Sequence, residues 1–209
     1  MHTLYFDFLC PYAWRGLELA QALGGPELFT LRHFSLVEGN HHDNAAGLSW
    51  RLTDQDPGAD GGSGSLSHQR PSLNAFLTAQ AARLLGKEAE WAYTLALFRL
   101  HHEQEQPLEE TTFTRAAQEA GLELAAWQHA RGDIAGLKQA LRADLDTAAE
   151  VGVQGTPTFV LDSGEAAYFR FEELTREASE AQRRWELYCA VLRDNSRIGT
   201  IKRARHRPA

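Results

Sequence analysis

Cys10, Pro11, Tyr12 and Ala13 stand together in "FDFLCPYAW", and the thiol among them is the first group that could do chemistry. A two-thiol redox site would carry a second cysteine three residues on, where this chain has Ala13. A single thiolate attacks a disulfide sulfur and then stops at a mixed disulfide until an outside thiol resolves it. Proline is favoured at the first position of a helix, where its missing N–H costs nothing. Cys10 is therefore expected at a strand-to-helix junction. Unpaired backbone N–H groups and the positive end of the helix dipole would there favour the thiolate. A cysteine packed as a small apolar residue is the plain alternative, and the junction argues against it.

A second stretch, "GVQGTPTFV", places Gly155, Thr156 and Pro157 before a β-rich run. Proline cannot donate to a strand ladder, so it needs an edge or a bend. X-Pro is the bond at which cis costs least, about 0.5–1 kcal/mol. A cis bond would expose the Thr156 backbone to an extended peptide; a trans proline entering an edge strand is the ordinary alternative. Tyr12 and Trp14 flank the thiol and either line a pocket or pack. Asp7 precedes it on an apolar run. It either acts on the thiol as a buried acid or, the preferred reading, pairs with Arg15 or Arg32. Cys189 lies in "WELYCAVL" on the apolar stripe of the last helix and reads as a core residue. The pairs His41–His42 and His101–His102 come without a ligand motif, and neighbours on a helix diverge, so no metal is expected.

The elements that must position these residues follow from periodicity and breakers. "HTLYFDF" and "FTLRHFSLV" read as strands around a helix that ends at Gly24 or Gly25. Residues 52–71, rich in Gly, Ser and Asp, read as a loop and a domain boundary. Helical stretches follow. The last of them has Asp133 as its N-cap and Gly152 as its stop. "TPTFVLD" and "AAYFRFE" are strands joined by a Ser-Gly turn, and residues 173–194 form a final helix. The order β-α-β, helices, β-β-α implies a parallel first pair and an antiparallel last pair. A small mixed sheet with helices on it and an inserted helical lobe satisfies both.

The chain has 209 residues, room for one domain with an insertion or two small lobes. Its net charge of −7 argues against a nucleic-acid surface; the basic end "IKRARHRPA" reads as a solvated tail. No apolar run approaches the ~20 residues of a membrane span. A signal peptide of ordinary length would take residues 6–14 with it. Two cysteines do not make a disulfide framework. A cytoplasmic protein is the expectation.

"DFLCPYAW" and "GVQGTPTFV", separated by a helical block, together resemble the DsbA-like branch of the thioredoxin superfamily. The resemblance implies an α/β, thioredoxin-like fold with an inserted α-helical domain. Residues 1–64 and 132–209 would form the first and residues 65–131 the second. It also implies a cis-Pro157 facing Cys10, with Cys10, Pro11, Tyr12 and Pro157 catalytic and Trp14 and Thr156 binding substrate or glutathione. Ala13 departs from members that act as disulfide oxidants. The motif is similar also to a sister branch, kappa-class glutathione transferases and 2-hydroxychromene-2-carboxylate isomerases, which have serine where this chain has Cys10. The expected activity is thiol-dependent redox exchange through Cys10, with a small thiol or disulfide substrate. Glutathione would serve as cosubstrate, and no cofactor would be held permanently. A glutathione-dependent transferase or isomerase, or a redox-silent binding protein, are the alternatives.

Overall fold

The computed structural model describes residues 1–58 and 67–194. The expected boundary near residue 64 and the basic tail lie outside them.

Four strands make one sheet in the order β2-β1-β3-β4. β1 (His2–Phe6) is central and pairs in parallel with β2 (Phe29–His33), Leu4 opposite Leu31. On its other side it pairs antiparallel with β3 (Thr158–Val160), which pairs antiparallel with β4 (Ala166–Tyr168). Leu4, Tyr5 and Phe6 are all buried, as a strand covered on both faces requires.

The strands are shorter than the apolar runs. β1 ends at Phe6, before Asp7. β2 ends at His33, because Ser35 accepts a hydrogen bond from the Glu38 N–H and caps a short helix, α2 (Leu36–Gly39). "TPTFVLD" contributes only Thr158–Val160 and "AAYFRFE" only Ala166–Tyr168.

The first crossover is α1 (Pro11–Ala22), two or three residues shorter than its glycines suggested, with Leu23 at its C-cap. The expected loop from residue 52 opens with a 3₁₀ turn, Leu52–Asp54, whose first two residues are buried. α3 (Gln69–Arg83) begins before that loop was expected to end. α4 (Lys87–Phe98), α5 (Glu110–Glu119) and α6 (Leu124–Ala130) follow. α4 runs into a π-helical turn, Arg99–Glu103. α7 (Ile134–Val151) is capped as its sequence predicts: Gly136 N–H donates to Asp133, and Gly152 takes the left-handed conformation at φ 80°. α8 spans Ala178–Arg193, starting five residues later than predicted because Glu177 caps it through Ser179 and Glu180 N–H.

The sheet and the helices share one core. Leu4, Phe6 and Phe8 pack into the same cluster as Phe76, Phe98 and Trp127. α7 touches both α3 and β2. Its Asp144 is buried and receives Arg32 of β2 at 2.6 Å, Arg83 of α3 at 2.9 Å and the His33 ring at 2.9 Å. Burial opposes the Asp144 charge, but the His33 hydrogen bond and the two guanidiniums outweigh it and hold the carboxyl well below the usual range. Burial lowers the pKa of His33, whose Nδ1 lies 2.9 Å from Asp144. No described helix is long and apolar enough to cross a membrane.

Candidate active site

β1 delivers the chain to Asp7, and a tight turn, Cys10 N–H to Asp7 carbonyl at 3.0 Å, swings it into α1. Cys10 is the N-cap residue, extended at φ −96°, with Pro11 in the first turn. The cap side chain makes no bond to its own helix. Instead its Sγ donates to the Thr156 carbonyl at 3.2 Å. The Thr156–Pro157 bond is cis, and the Pro157 ring lies on α1. A Cβ added at Gly16 would sit 2.8 Å from Pro157 Cβ and 2.9 Å from its Cγ. Glycine at position 16 is what allows the loop to come down onto the helix that carries Cys10. Cys10 is 6% exposed, and Thr156 is buried with a hydroxyl that has no partner among the described residues.

Tyr12 and Trp14 part ways. Both are half-buried against the core, but the Trp14 Nε1 donates to Glu18 at 3.2 Å and its ring stacks on His102. Burial opposes the charge on Glu18, but hydrogen bonds from Arg99 and Arg176 outweigh it and bring the carboxyl to about 2. Tyr12 stays at the half-exposed rim between two guanidiniums, Arg15 at 5.3 Å and Arg170 at 4.9 Å from its ring centre.

The pairing expected for Asp7 is not made. Arg32 is taken by Asp144, and Arg15 donates to the Phe171 carbonyl. Asp7 is fully buried and accepts backbone N–H bonds from Leu9 at 2.8 Å and Leu36 at 2.6 Å. Burial outweighs these two bonds and pushes its carboxyl up to about 6. Cys189 sits near Asp162 and Arg193. Asp162 adjoins His2, at the start of β1, whereas Cys10 follows the end of that strand. The two thiols thus lie toward opposite ends of β1, and both are free.

The histidine pairs also differ from expectation. His41 and His42 belong to a tight turn, not a helix, and their rings stack at 4.5 Å. With Asp43 they bring three donor atoms within 4.8 Å on a surface turn. His102 belongs to the site: its ring is 2.8 Å from the Phe8 carbonyl, and burial lowers its pKa to about 4. The π-helical turn aims it there, a feature that helical spacing alone does not signal. Arg170 was missed as well. Arg15, three residues after Tyr12 on α1, was recoverable from helical spacing.

A family model for a DSBA-like thioredoxin domain matches residues 3–177. No curated protein matches by sequence. Solved structures similar in fold include a probable DsbA oxidoreductase from Streptomyces coelicolor: 20% identity, TM-score 0.55, 87% of this chain and 89% of that one. The cytosolic disulfide reductase DsbM from Pseudomonas aeruginosa, with GSH, aligns at 16% identity and TM-score 0.55 over 90% and 98%. A 2-hydroxychromene-2-carboxylate isomerase aligns at 15% and 0.53 over 95% and 99%.

Proposed function

Because this chain belongs to the DSBA-like thioredoxin domain family, a family of thiol–disulfide oxidoreductases, we propose that it exchanges disulfides through Cys10 alone. The observation that carries this reading is the Cys10 Sγ, 3.2 Å from the Thr156 carbonyl at the cis-proline, with Ala13 where a resolving thiol would stand. The Cys10 thiolate attacks one sulfur of a small disulfide. The S–S bond breaks, one thiolate leaves, and Cys10 is held as a mixed disulfide. An external thiol then attacks the Cys10 adduct and regenerates the enzyme. Glutathione fits that second role, in a compartment such as the cytoplasm that keeps it reduced.

Each neighbour has a part in this reading. Pro11 sets the first turn of α1, the helix that Cys10 caps. Pro157 holds the Thr156 backbone beside the sulfur, where an extended substrate strand would hydrogen-bond. Tyr12 forms the rim over which substrate enters, and Trp14 supports α1 from within.

Oxidised glutathione is the test. The wild type should gain one glutathionyl unit by intact mass, lost again on adding reductant, and Cys10→Ser should gain none. Ala13→Cys places a thiol one turn along the same face, so that variant should lose both titratable site thiols on oxidation and retain no glutathione. An adduct on Cys189 alone, or none, overturns the reading.

A further inference from the structure

Arginines in this protein are mostly held by carboxylates: Arg99 and Arg176 by Glu18, Arg131 by Glu110. The two that flank Tyr12 are not. Arg15 donates to the Phe171 carbonyl, Arg170 to the Tyr168 hydroxyl, and among the described residues neither has a carboxylate at ion-pair distance. They come from different elements, Arg15 from α1 and Arg170 from the segment after β4. Arg170 is exposed, and its guanidinium lies over two rings, Tyr12 at 4.9 Å and Tyr168 at 5.3 Å. Tyr12 rides on the helix that bears Cys10. Tyr168 lies on the cis-proline loop, its Cζ 3.4 Å from where a Gly155 Cβ would stand. Arg170 therefore sits where the two walls of the Cys10 site meet. In a chain of net charge −7, two unneutralised cations at one thiol are not a general property of the surface.

We infer that Arg15 and Arg170 form an anion anchor around Tyr12 and select, as the disulfide attacked by Cys10, one that bears a carboxylate a few bonds from its sulfur. The inference rests on Cys10 being the nucleophile. A guanidinium has five N–H donors, so with one nitrogen engaged, as Arg15 Nη1 and Arg170 Nε are, each still has a pair of N–H groups that can take a carboxylate through two hydrogen bonds. The exchange is balanced: a bond forms from Cys10 Sγ to the nearer substrate sulfur, the substrate S–S bond breaks, and the carboxylate-bearing thiolate leaves. One disulfide is consumed and one formed, so no oxidant is needed. The anchor holds the substrate carboxylate while the bonds exchange and releases it with the leaving thiolate, and its attraction falls with salt.

The experiment compares two chromogenic disulfides in a Cys189→Ser background. Dithiobis(nitrobenzoate) carries a carboxylate on each ring, and dithiodipyridine carries none. The readout is the ratio of their rates with Cys10. Arg15→Gln combined with Arg170→Gln should lower that ratio about tenfold or more, the loss expected when two charge contacts go. Arg170→Gln alone should lower it by a smaller factor, and Arg170→Lys, which keeps the charge but not the two-bond fork, should recover only part of it. High salt should lower the ratio for the parent and leave it nearly constant for the double variant. A ratio that stays within about twofold in the double variant, while dithiodipyridine still reacts at Cys10, overturns the anchor and leaves the nucleophile reading standing. If Cys10 reacts with neither disulfide in the parent, both fall.

Discussion

Asp7 is a carboxyl buried at the turn that leads to Cys10; among the described residues it meets no cation and accepts from the Leu9 and Leu36 N–H groups. Its carboxyl is pushed up to about 6, above the 3.8 of an unfolded chain, so the folded state holds the proton more tightly. The stability this confers is fully present below pH 4 and is lost as pH rises through 6. Two units correspond to about 2–3 kcal/mol. Asp7→Asn cannot ionise, although its one carbonyl must serve two donors. The wild type should therefore be the more stable at pH 5, and its advantage should shrink by about 1.4 kcal/mol by pH 7.5, read from urea midpoints. An advantage that grows with pH would contradict the buried, unpaired acid. At this scale the sequence shows that a carboxyl precedes the thiol. It does not show which groups meet that carboxyl, since Arg15 and Arg32 were equally available and both are engaged elsewhere.

α1 and the loop before β3 form the working contact of the molecule, and Gly16 is its narrowest point. Alanine there meets the Pro157 ring at 2.8 Å, and a proline ring has no flexible end to move aside. Gly16→Ala would gain up to about 1 kcal/mol in helix propensity and lose about 1–3 kcal/mol by overpacking. The expected result is a lower thermal midpoint together with slower reaction of Cys10 with a neutral disulfide, because the loop that bears Thr156 is lifted from the sulfur. A stabilised variant would mean that the two elements do not touch there. The π-helical turn works at the same scale. Opening the helix by one residue brings His102 to the Phe8 carbonyl and beneath Trp14. Caps and breakers predicted where α7 starts and stops, because those are local bonds. Neither this turn nor the early end of β2 was legible, since each depends on what the neighbouring element offers.

Across the whole molecule, Asp144 joins the sheet to the helices by accepting from Arg32, His33 and Arg83 at once. Removing it leaves Arg83 with Glu90 and the Leu31 carbonyl, and takes from Arg32 and His33 the carboxylate they share. Asp144→Ala should cost about 3–5 kcal/mol, the usual loss when one partner of a buried ion pair is deleted. Glu119→Ala, which breaks the exposed Arg115–Glu119 pair, should cost at most about 0.5 kcal/mol. Chemical denaturation of the two variants side by side checks the contrast. The Asp144 pKa is depressed on folding, so its contribution is present above the unfolded carboxylate pKa, near 4, and fades as pH falls below it. Equal, small losses in both variants would show that the buried cluster does not join the layers.

What the sequence by itself determined is local. The strand–cysteine–proline–helix junction, the Asp133 cap, the Gly152 stop and the order of elements follow from dihedral preferences, periodicity and short-range hydrogen bonds. These act within a few residues and need no knowledge of the rest of the chain. Only the tertiary structure decided what surrounds the thiol: Thr156, 146 residues away, Arg170 on the far edge of the sheet, and His102 from the helices. It also decided that Cys189 belongs to the other end of the sheet. Such meetings depend on how close-packed surfaces from distant segments dock, and a small change in docking exchanges one partner for another. Spacing along a single chain carries no record of that choice.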